Sequence, residues 1–126
     1  MSVYDTRFFI EHYYSEDREI LAKTINMLRT DKNKVVSSIV IHEVYRFTME
    51  KDGKEQAELR TRLLEKEFKV VDVDVQIAKI SAKLRHKYRI PMADSIIAAT
   101  AKNLNLVCVT DDEHFSQIQE VKTRWI

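Results

Sequence analysis

Four short runs of β-favouring residues, separated by long segments with helical spacing, constrain the fold of this chain more than any other feature. The runs occupy residues 2–4, 34–37, 68–73 and 106–110, and a weaker fifth run occupies residues 121–125. They are apolar on both sides rather than alternating, which is typical of strands covered on both faces. The sequence therefore predicts a three-layer α/β sandwich, in which helices flank a mostly parallel sheet of four or five strands.

Capping residues mark the helices between these strands. Ser15 and Ser38 are typical N-caps, Gly53 stands where a helix is expected to stop, and Asp74 and Pro91 begin two further helices. Residues 54–67 are expected to form a helix with its leucines on one buried side: Leu59, Leu63 and Leu64. The predicted order is strand, two helices, strand, two helices, strand, two helices, strand and a last helix.

The length and composition fit one globular domain over residues 1–126. Of the 126 residues, 44% are hydrophobic and 33% are charged, which is enough for a core without disulfides or a structural metal. The lone Cys108 cannot close an intrachain disulfide, and charged side chains occupy the N-terminal region where a signal peptide would need an apolar run. No apolar stretch approaches the roughly 20 residues that span a bilayer. We therefore expect a soluble cytoplasmic protein.

The charge balance and the scarcity of glycine exclude several classes of binding site. The chain has 21 basic and 20 acidic side chains for a net charge of +1, so any polyanion must bind at a local patch rather than through a global field. Gly53 and Pro91 are the single residues of their types. Glycine-rich loops that bind the phosphates of nucleotides are therefore excluded.

Four acidic residues stand just beyond the predicted strand ends, at the edge of a parallel sheet where ligands bind. They are Asp5, Glu43, Asp94 and Asp112. Glu43 falls on the apolar arc of its helix, and Asp94 projects beside small apolar residues, so both are expected to point inward. Considered singly, such an acid could instead interact with a helix dipole or lie at a hydrated margin of the core.

Carboxylates that converge in a partly buried site need a proton, a cation or a metal. No Lys or Arg is predicted among these four, and a pocket of oxygen ligands selects Mg²⁺ or Mn²⁺ over zinc. Metal-assisted phosphoryl chemistry is the use that this arrangement favours.

The motifs around these acids resemble the PIN domain family, and in particular its small VapC-type ribonuclease toxins. The strings that carry the resemblance are VYDT at residues 3–6, the spacing from Ser37-Ser38 to Glu43, PMADSIIAATA at residues 91–101, and TDDEHF at residues 110–115. The most specific are the D-x-x-I-A-A-x-A helix and the T-x-D-x-x-F ending. The resemblance covers nearly the whole chain.

The resemblance implies a parallel sheet flanked by helices, and an endoribonuclease that uses Mg²⁺ or Mn²⁺ to cleave single-stranded RNA. It further implies a homodimer inhibited by a small cognate antitoxin. Asp5, Glu43 and Asp94 match the three most regular acidic positions, and Asp112 matches the fourth, more variable one. Thr110 and Thr6 match the hydroxyl residues that accompany the fourth and the first acid.

Two positions depart from the family pattern. Arg7 stands where a small or polar residue is usual, so it could crowd the site or contact a phosphate. Asp111 stands beside Asp112 and leaves the fourth acid ambiguous, although the spacing to Phe115 favours Asp112. His114 belongs to the same motif and could reach a substrate, but the interpretation favoured is a surface histidine in a short turn.

A basic segment precedes the Pro91 helix, and its cations could hold the RNA backbone or simply interact with a helix C-terminus. Its candidate phosphate contacts are Arg85, Lys87 and Arg89. Two other functional hypotheses stay open. One is an interaction module with this fold but no activity, and the other is a phosphoacceptor receiver domain, which would need a lysine at a late strand end.

Overall fold

A computed structural model describes all 126 residues, and its centre is a five-stranded sheet. The strands are β1 (Ser2–Tyr4), β2 (Lys34–Ser37), β3 (Lys69–Val71), β4 (Val107–Val109) and β5 (Thr123–Arg124), in the spatial order β3-β2-β1-β4-β5. Every pairing is parallel. The predicted α/β class is confirmed, and the weak fifth run does form a strand, although only two residues long.

Seven helices flank the sheet. They are α1 (Thr6–Tyr14), α2 (Arg18–Thr30), α3 (Ser38–Asp52), α4 (Lys54–Glu67), α5 (Val75–Tyr88), α6 (Met92–Leu104) and α7 (Glu113–Ser116). The pairs α3 with α4 and α5 with α6 pack as hairpins, and α6 also contacts β1, β2 and β4. None of these helices has the length and apolar character required to cross a membrane.

Helix α6 is buried along most of its length because its side chains are small. Residues 95–101 are all buried. Alanines at positions 98, 99 and 101 allow close approach to the strands, while Ile97 fills the space between them. The tight packing of α6 positions its first turn, which carries Asp94, over the carboxyl end of the sheet.

An aromatic cluster connects the first strand to the first helix. Tyr4, Phe8 and Phe9 are fully or almost fully buried, with edge-to-face contacts at 4.9 Å between the rings of Tyr4 and Phe8 and 5.3 Å between those of Phe8 and Phe9. The Tyr4 hydroxyl donates a hydrogen bond of 2.7 Å to the buried Asp31 carboxylate. This packing fixes the β1–α1 junction, where Asp5 lies.

Several predicted helix boundaries shift by one or two residues. Asp17, not Ser15, caps α2, because its carboxylate accepts hydrogen bonds from the N–H groups of Glu19 and Ile20. Ser37 caps α3, and Ser38 is its first helical residue. Pro91 is the residue before α6 rather than its first. Gly53 ends α3 as predicted, with a φ of +91° that permits the immediate turn into α4.

The predicted buried face of α4 is wrong for two of its three leucines. Leu64 is buried, but Leu59 and Leu63 are 48% and 46% exposed. The buried face instead carries Ala57 and Thr61 with Leu64, because the close pairing of α4 with α3 favours small residues at the contact. An apolar pair therefore remains on the outer surface of α4.

Candidate active site

The carboxyl edge of the sheet gathers the four predicted acids onto neighbouring elements. Asp5 directly follows β1 and caps α1, and Glu43 lies in the second turn of α3, which follows β2. Asp94 lies in the first turn of α6, and Asp112 follows β4 and caps α7. The structure thus brings all four to one place, while their role as metal ligands stays a prediction.

Asp5 is the most buried of the four, with 2% of its surface exposed. Its Oδ1 accepts a hydrogen bond from the Thr6 N–H at 2.8 Å, and its Oδ2 accepts one from the Thr110 hydroxyl at 2.6 Å. Burial raises the pKa of Asp5 to about 7, and the charges of Asp94 and Asp112 add to this rise against the hydrogen bond from Thr110. Asp5 is therefore held in one orientation and carries a proton part of the time at neutral pH.

The two threonines that accompany the acids hold them in place. The Thr6 hydroxyl donates to Glu43 Oε1 at 2.5 Å and so connects α1 to α3. The Thr110 oxygen, besides donating to Asp5, accepts a hydrogen bond of 3.0 Å from the Asp112 N–H. Both threonines therefore act on carboxylates rather than facing open solvent.

His114 joins the cluster through contacts that the sequence pattern did not predict, although its side chain is 43% exposed, as expected of a surface histidine. Its Nδ1 lies 2.8 Å from Asp94 Oδ2 and 3.3 Å from Asp112 Oδ1, and ligand atoms of the three residues lie within 4.8 Å of one another. The hydrogen bond to Asp94 raises the pKa of His114. This contact could have been predicted from the position of His114, two residues after Asp112. The carboxylate of a capping Asp accepts a hydrogen bond from the N–H two residues later, and here the His114 N–H donates to Asp112 Oδ1 at 2.9 Å.

The environment of Asp94 shows that the four acids form one electrostatic unit. Burial raises the pKa of Asp94, and the charges of Asp112 and Glu43 raise it further, against the hydrogen bond with His114. Asp5 also responds to the charges of Asp94 and Asp112. Neutralising any one of the four is therefore expected to change the protonation of the others.

Arg7 and Asp111 form an ion pair with each other. Arg7 Nε lies 2.5 Å from Asp111 Oδ1, and a second guanidinium nitrogen lies 3.2 Å from Oδ2. This pairing leaves Asp112, and not Asp111, beside Asp94 and His114. Of the two adjacent aspartates, Asp112 is thus the one whose geometry suits a metal ligand, as the motif spacing favoured.

The basic segment before α6 splits between two surfaces. Arg85 and Arg89 line a groove between α5 and α6 with His86. Lys87 points elsewhere, with its Nζ 3.3 Å from a Glu120 carboxylate oxygen. The three predicted phosphate contacts therefore do not form one patch.

The metal-free protein is expected to lose stability as the pH rises from about 5.5 to 8. Asp5 has an unfolded pKa near 3.8 and a folded pKa near 7, so the folded state binds more protons between these values and each pH unit in that window costs about 1.4 kcal/mol. The raised pKa values of Asp94 and His114 act in the same direction. Urea unfolding in EDTA should show a loss of about 2 kcal/mol over this range.

The control for this pH dependence is Asp5→Asn, which should flatten the profile because the amide cannot titrate. Profiles of equal slope for the wild type and Asp5→Asn would show that Asp5 is not the group responsible.

A five-stranded parallel sheet with clustered carboxylates at its carboxyl edge places this chain among α/β proteins with an acidic candidate active site. The sequence model of the PIN domain matches residues 2–121, and the chain belongs to the PIN domain family. The predicted family is thereby confirmed. A search of curated proteins found no match.

Several solved structures share this fold over nearly their whole length. VapBC2 from Rickettsia felis, bound to a promoter DNA fragment, has a chain that aligns with a TM-score of 0.80 at 17% identity, covering 99% of this chain and 98% of that one. A toxin–antitoxin complex from Klebsiella pneumoniae aligns with a TM-score of 0.77 at 27% identity over 100% of both chains. VapC20 from Mycobacterium tuberculosis, described as a sarcin-ricin loop cleaving toxin, aligns with a TM-score of 0.76 at 15% identity, covering 97% of this chain and 99% of that one. Together with the family match, these similarities show that the chain has the fold of a PIN domain.

Proposed function

We propose that this protein is a divalent-metal-dependent endoribonuclease that hydrolyses phosphodiester bonds of single-stranded RNA, acting as the toxin of a toxin–antitoxin pair. The observation that carries the proposal is the convergence of Asp5, Glu43, Asp94 and Asp112 without a lysine or arginine paired to any of them. None of the four forms an ion pair with Lys or Arg, and His114 is the only cationic partner of any of them. Such a cluster suits a cation from solution.

The donor set fits Mg²⁺ or Mn²⁺. Asp5, Glu43, Asp94 and Asp112 would hold one or two ions through carboxylate oxygens, which hard divalent cations prefer. The His114 nitrogen is close enough to join Asp94 and Asp112, and an imidazole favours Mn²⁺ over Mg²⁺. A bound ion would supply Lewis-acid activation of water and stabilisation of charge on the scissile phosphate.

The residues around the acids keep the site organised for this chemistry. Thr110 holds Asp5 Oδ2 and Thr6 holds Glu43 Oε1, so neither carboxylate rotates freely. His114 Nδ1 forms a hydrogen bond of 2.8 Å with Asp94 Oδ2 and lies 3.3 Å from Asp112 Oδ1, so it connects these two carboxylates. Groups that orient ligating carboxylates in this way commonly affect metal affinity or activity by 10- to 100-fold.

A small antitoxin and a second copy of this chain are the proposed protein partners. Structures similar to this chain come from toxin–antitoxin complexes, as in the Rickettsia felis and Klebsiella pneumoniae examples. The exposed Leu59 and Leu63 on α4 provide an apolar surface that suits a contact with another chain.

The direct test is cleavage of a mixed-sequence single-stranded RNA with Mg²⁺, Mn²⁺ or EDTA. We expect cleavage with either ion and none with EDTA. Asp112→Asn should reduce the rate by about 100-fold or more, because it removes a proposed ligand. Asp111→Asn is the matched control, and we expect less than about a fivefold change because it breaks only a partly exposed ion pair with Arg7.

Two outcomes would contradict the proposed function. Equal rates for Asp111→Asn and Asp112→Asn would remove Asp112 from the site. RNA left intact by the folded protein under all conditions would favour a non-catalytic interaction module with this fold.

A further inference from the structure

The groove between α5 and α6 concentrates positive charge beside the candidate active site. It has a volume of about 540 Å³, and its lining includes Arg85, His86 and Arg89 from the end of α5, with Met92 and Ser95 from α6. We refer to these residues as the α5–α6 groove. Asp94 stands between Met92 and Ser95 in the same turn of α6. The groove and the candidate active site therefore share the first turn of α6, although Asp94 itself does not line the groove.

The two guanidinium groups of the groove are free to bind a ligand. Neither Arg85 nor Arg89 forms an ion pair with any acid of the chain, and both are exposed. Lys87 lies between them in sequence but is paired with Glu120, and its Nζ lies 5.1 Å from the Tyr88 ring centroid. The structure thus separates two available cations from one that is already neutralised.

The backbone conformation of Arg89 is unfavourable for a residue with a side chain. Its φ of 58° and ψ of 38° are left-handed, at the C-cap of α5, where glycine is the residue that adopts this conformation without cost. A cation at a helix C-terminus interacts favourably with the helix dipole, but the last turn of α5 already carries three basic residues. The chain therefore carries a further guanidinium here at a conformational cost.

We propose that the α5–α6 groove binds the backbone phosphates of the RNA strand next to the scissile bond, with Arg85 and Arg89 as the contacts. The inference rests on the proposed function for the identity of the substrate. Guanidinium groups bind phosphate oxygens in a bidentate manner and without reading base sequence. An acidic peptide is a poorer occupant, because its carboxylates would continue toward the carboxylates around Asp94, where the one basic partner, His114, is already paired with Asp94 and Asp112.

The test measures binding separately from cleavage. Binding of a labelled mixed-sequence single-stranded RNA is measured by fluorescence anisotropy in EDTA over a range of salt concentrations. The double variant Arg85→Gln, Arg89→Gln should bind about tenfold or more weakly at low salt. The slope of log K against log salt should become shallower by about 1.4, at roughly 0.7 for each lost phosphate contact.

The matched control is Lys79→Gln with Lys83→Gln, which removes two charges from the same helix outside the groove. This control, and Lys87→Gln, should leave the slope nearly unchanged. Arg89→Gly supplies a second measurement: it should raise the melting temperature while weakening RNA binding, whereas a purely structural cap would show no change in RNA binding.

The outcomes distinguish this inference from the proposed function. If the wild type does not cleave RNA but the double variant loses binding and salt dependence, the groove assignment stands and the nuclease proposal fails. If the wild type cleaves RNA and the double variant binds it with the same affinity and slope, the groove assignment is overturned. Equal or tighter binding of a poly-glutamate peptide than of RNA would also overturn it in favour of an acidic protein partner.

Discussion

Replacing Asp94 by Asn, or Glu43 by Gln, is expected to reduce RNA cleavage by about 10³-fold or more while leaving the metal-free protein folded. Each change keeps the side-chain volume but removes a carboxylate charge that a divalent ion needs. Gln at position 43 can still accept the hydrogen bond from Thr6, which in the wild type goes to Glu43 Oε1. Cleavage rates and urea unfolding in EDTA, measured on the same preparations, test both parts of the expectation.

The stability part of this prediction separates a functional acid from a structural one. Burial and the charges of Asp112 and Glu43 disfavour ionised Asp94, so a neutral side chain at either position relieves repulsion within the cluster. We therefore expect the metal-free Glu43→Gln variant to be at least as stable as the wild type at pH 8. A carboxylate retained for the fold would show the reverse.

Glu50→Gln is the matched control for Glu43→Gln. Glu50 lies on the same helix but is exposed, and its one ion pair is with Arg46, at 3.8 Å. Its replacement should change neither cleavage nor stability measurably. If Glu43→Gln and Asp94→Asn both lose stability, and their folded fractions keep wild-type cleavage rates, these acids are structural and the site assignment is wrong.

Addition of Mn²⁺ or Mg²⁺ to the metal-free protein is expected to raise its melting temperature substantially. An ion that binds only the native state at 100 times its Kd adds about 2.7 kcal/mol, which corresponds to roughly 10 °C for a domain of this size. The effect should be larger at pH 8 than at pH 6, because protons and metal compete for the carboxylates, and the pKa of Asp5 is raised to about 7. Differential scanning calorimetry at both pH values measures it.

Variants identify the residues behind this stabilisation. Asp94→Asn should abolish most of the shift, and Glu50→Gln should retain it. His114→Gln should reduce the shift with Mn²⁺ more than the shift with Mg²⁺ if the imidazole ligates, since nitrogen ligands favour the softer ion. A metal-free, folded wild type whose melting temperature is unchanged by either ion would show that the four acids do not form a metal site.

The architecture could be predicted from the sequence because its signals are local and strong. Runs that are apolar on both sides, such as residues 34–37, indicate strands buried on both faces of a parallel sheet. The helices between these runs exclude most topologies other than an α/β sandwich. Boundaries were less certain because capping depends on the backbone as well as on residue type. Asp17, which accepts two N–H hydrogen bonds, caps α2 where Ser15 also fits the pattern.

Burial on a surface helix could not be predicted from spacing alone. The spacing of the leucines in α4 is compatible with one common face: Leu59, Leu63 and Leu64. Which face of α4 is buried depends, however, on how α3 packs against it. Close contact with α3 selects Ala57 and Thr61, and leaves the first two leucines outside. The hydrophobic pattern of a helix indicates that one face is buried, whereas packing determines its exact direction.

The sequence by itself determined the fold class and the four acids at the carboxyl edge, because strand ends and apolar arcs follow from residue order, and its motifs carried the resemblance to the family. Only the tertiary structure decided which neighbours each charge has. It paired Arg7 with Asp111, brought His114 to Asp94 and Asp112, and turned Lys87 toward Glu120 while leaving Arg85 and Arg89 in the groove. These contacts join segments that are up to 104 residues apart, and the energy of a charge depends on the distance to its partners in space rather than along the chain.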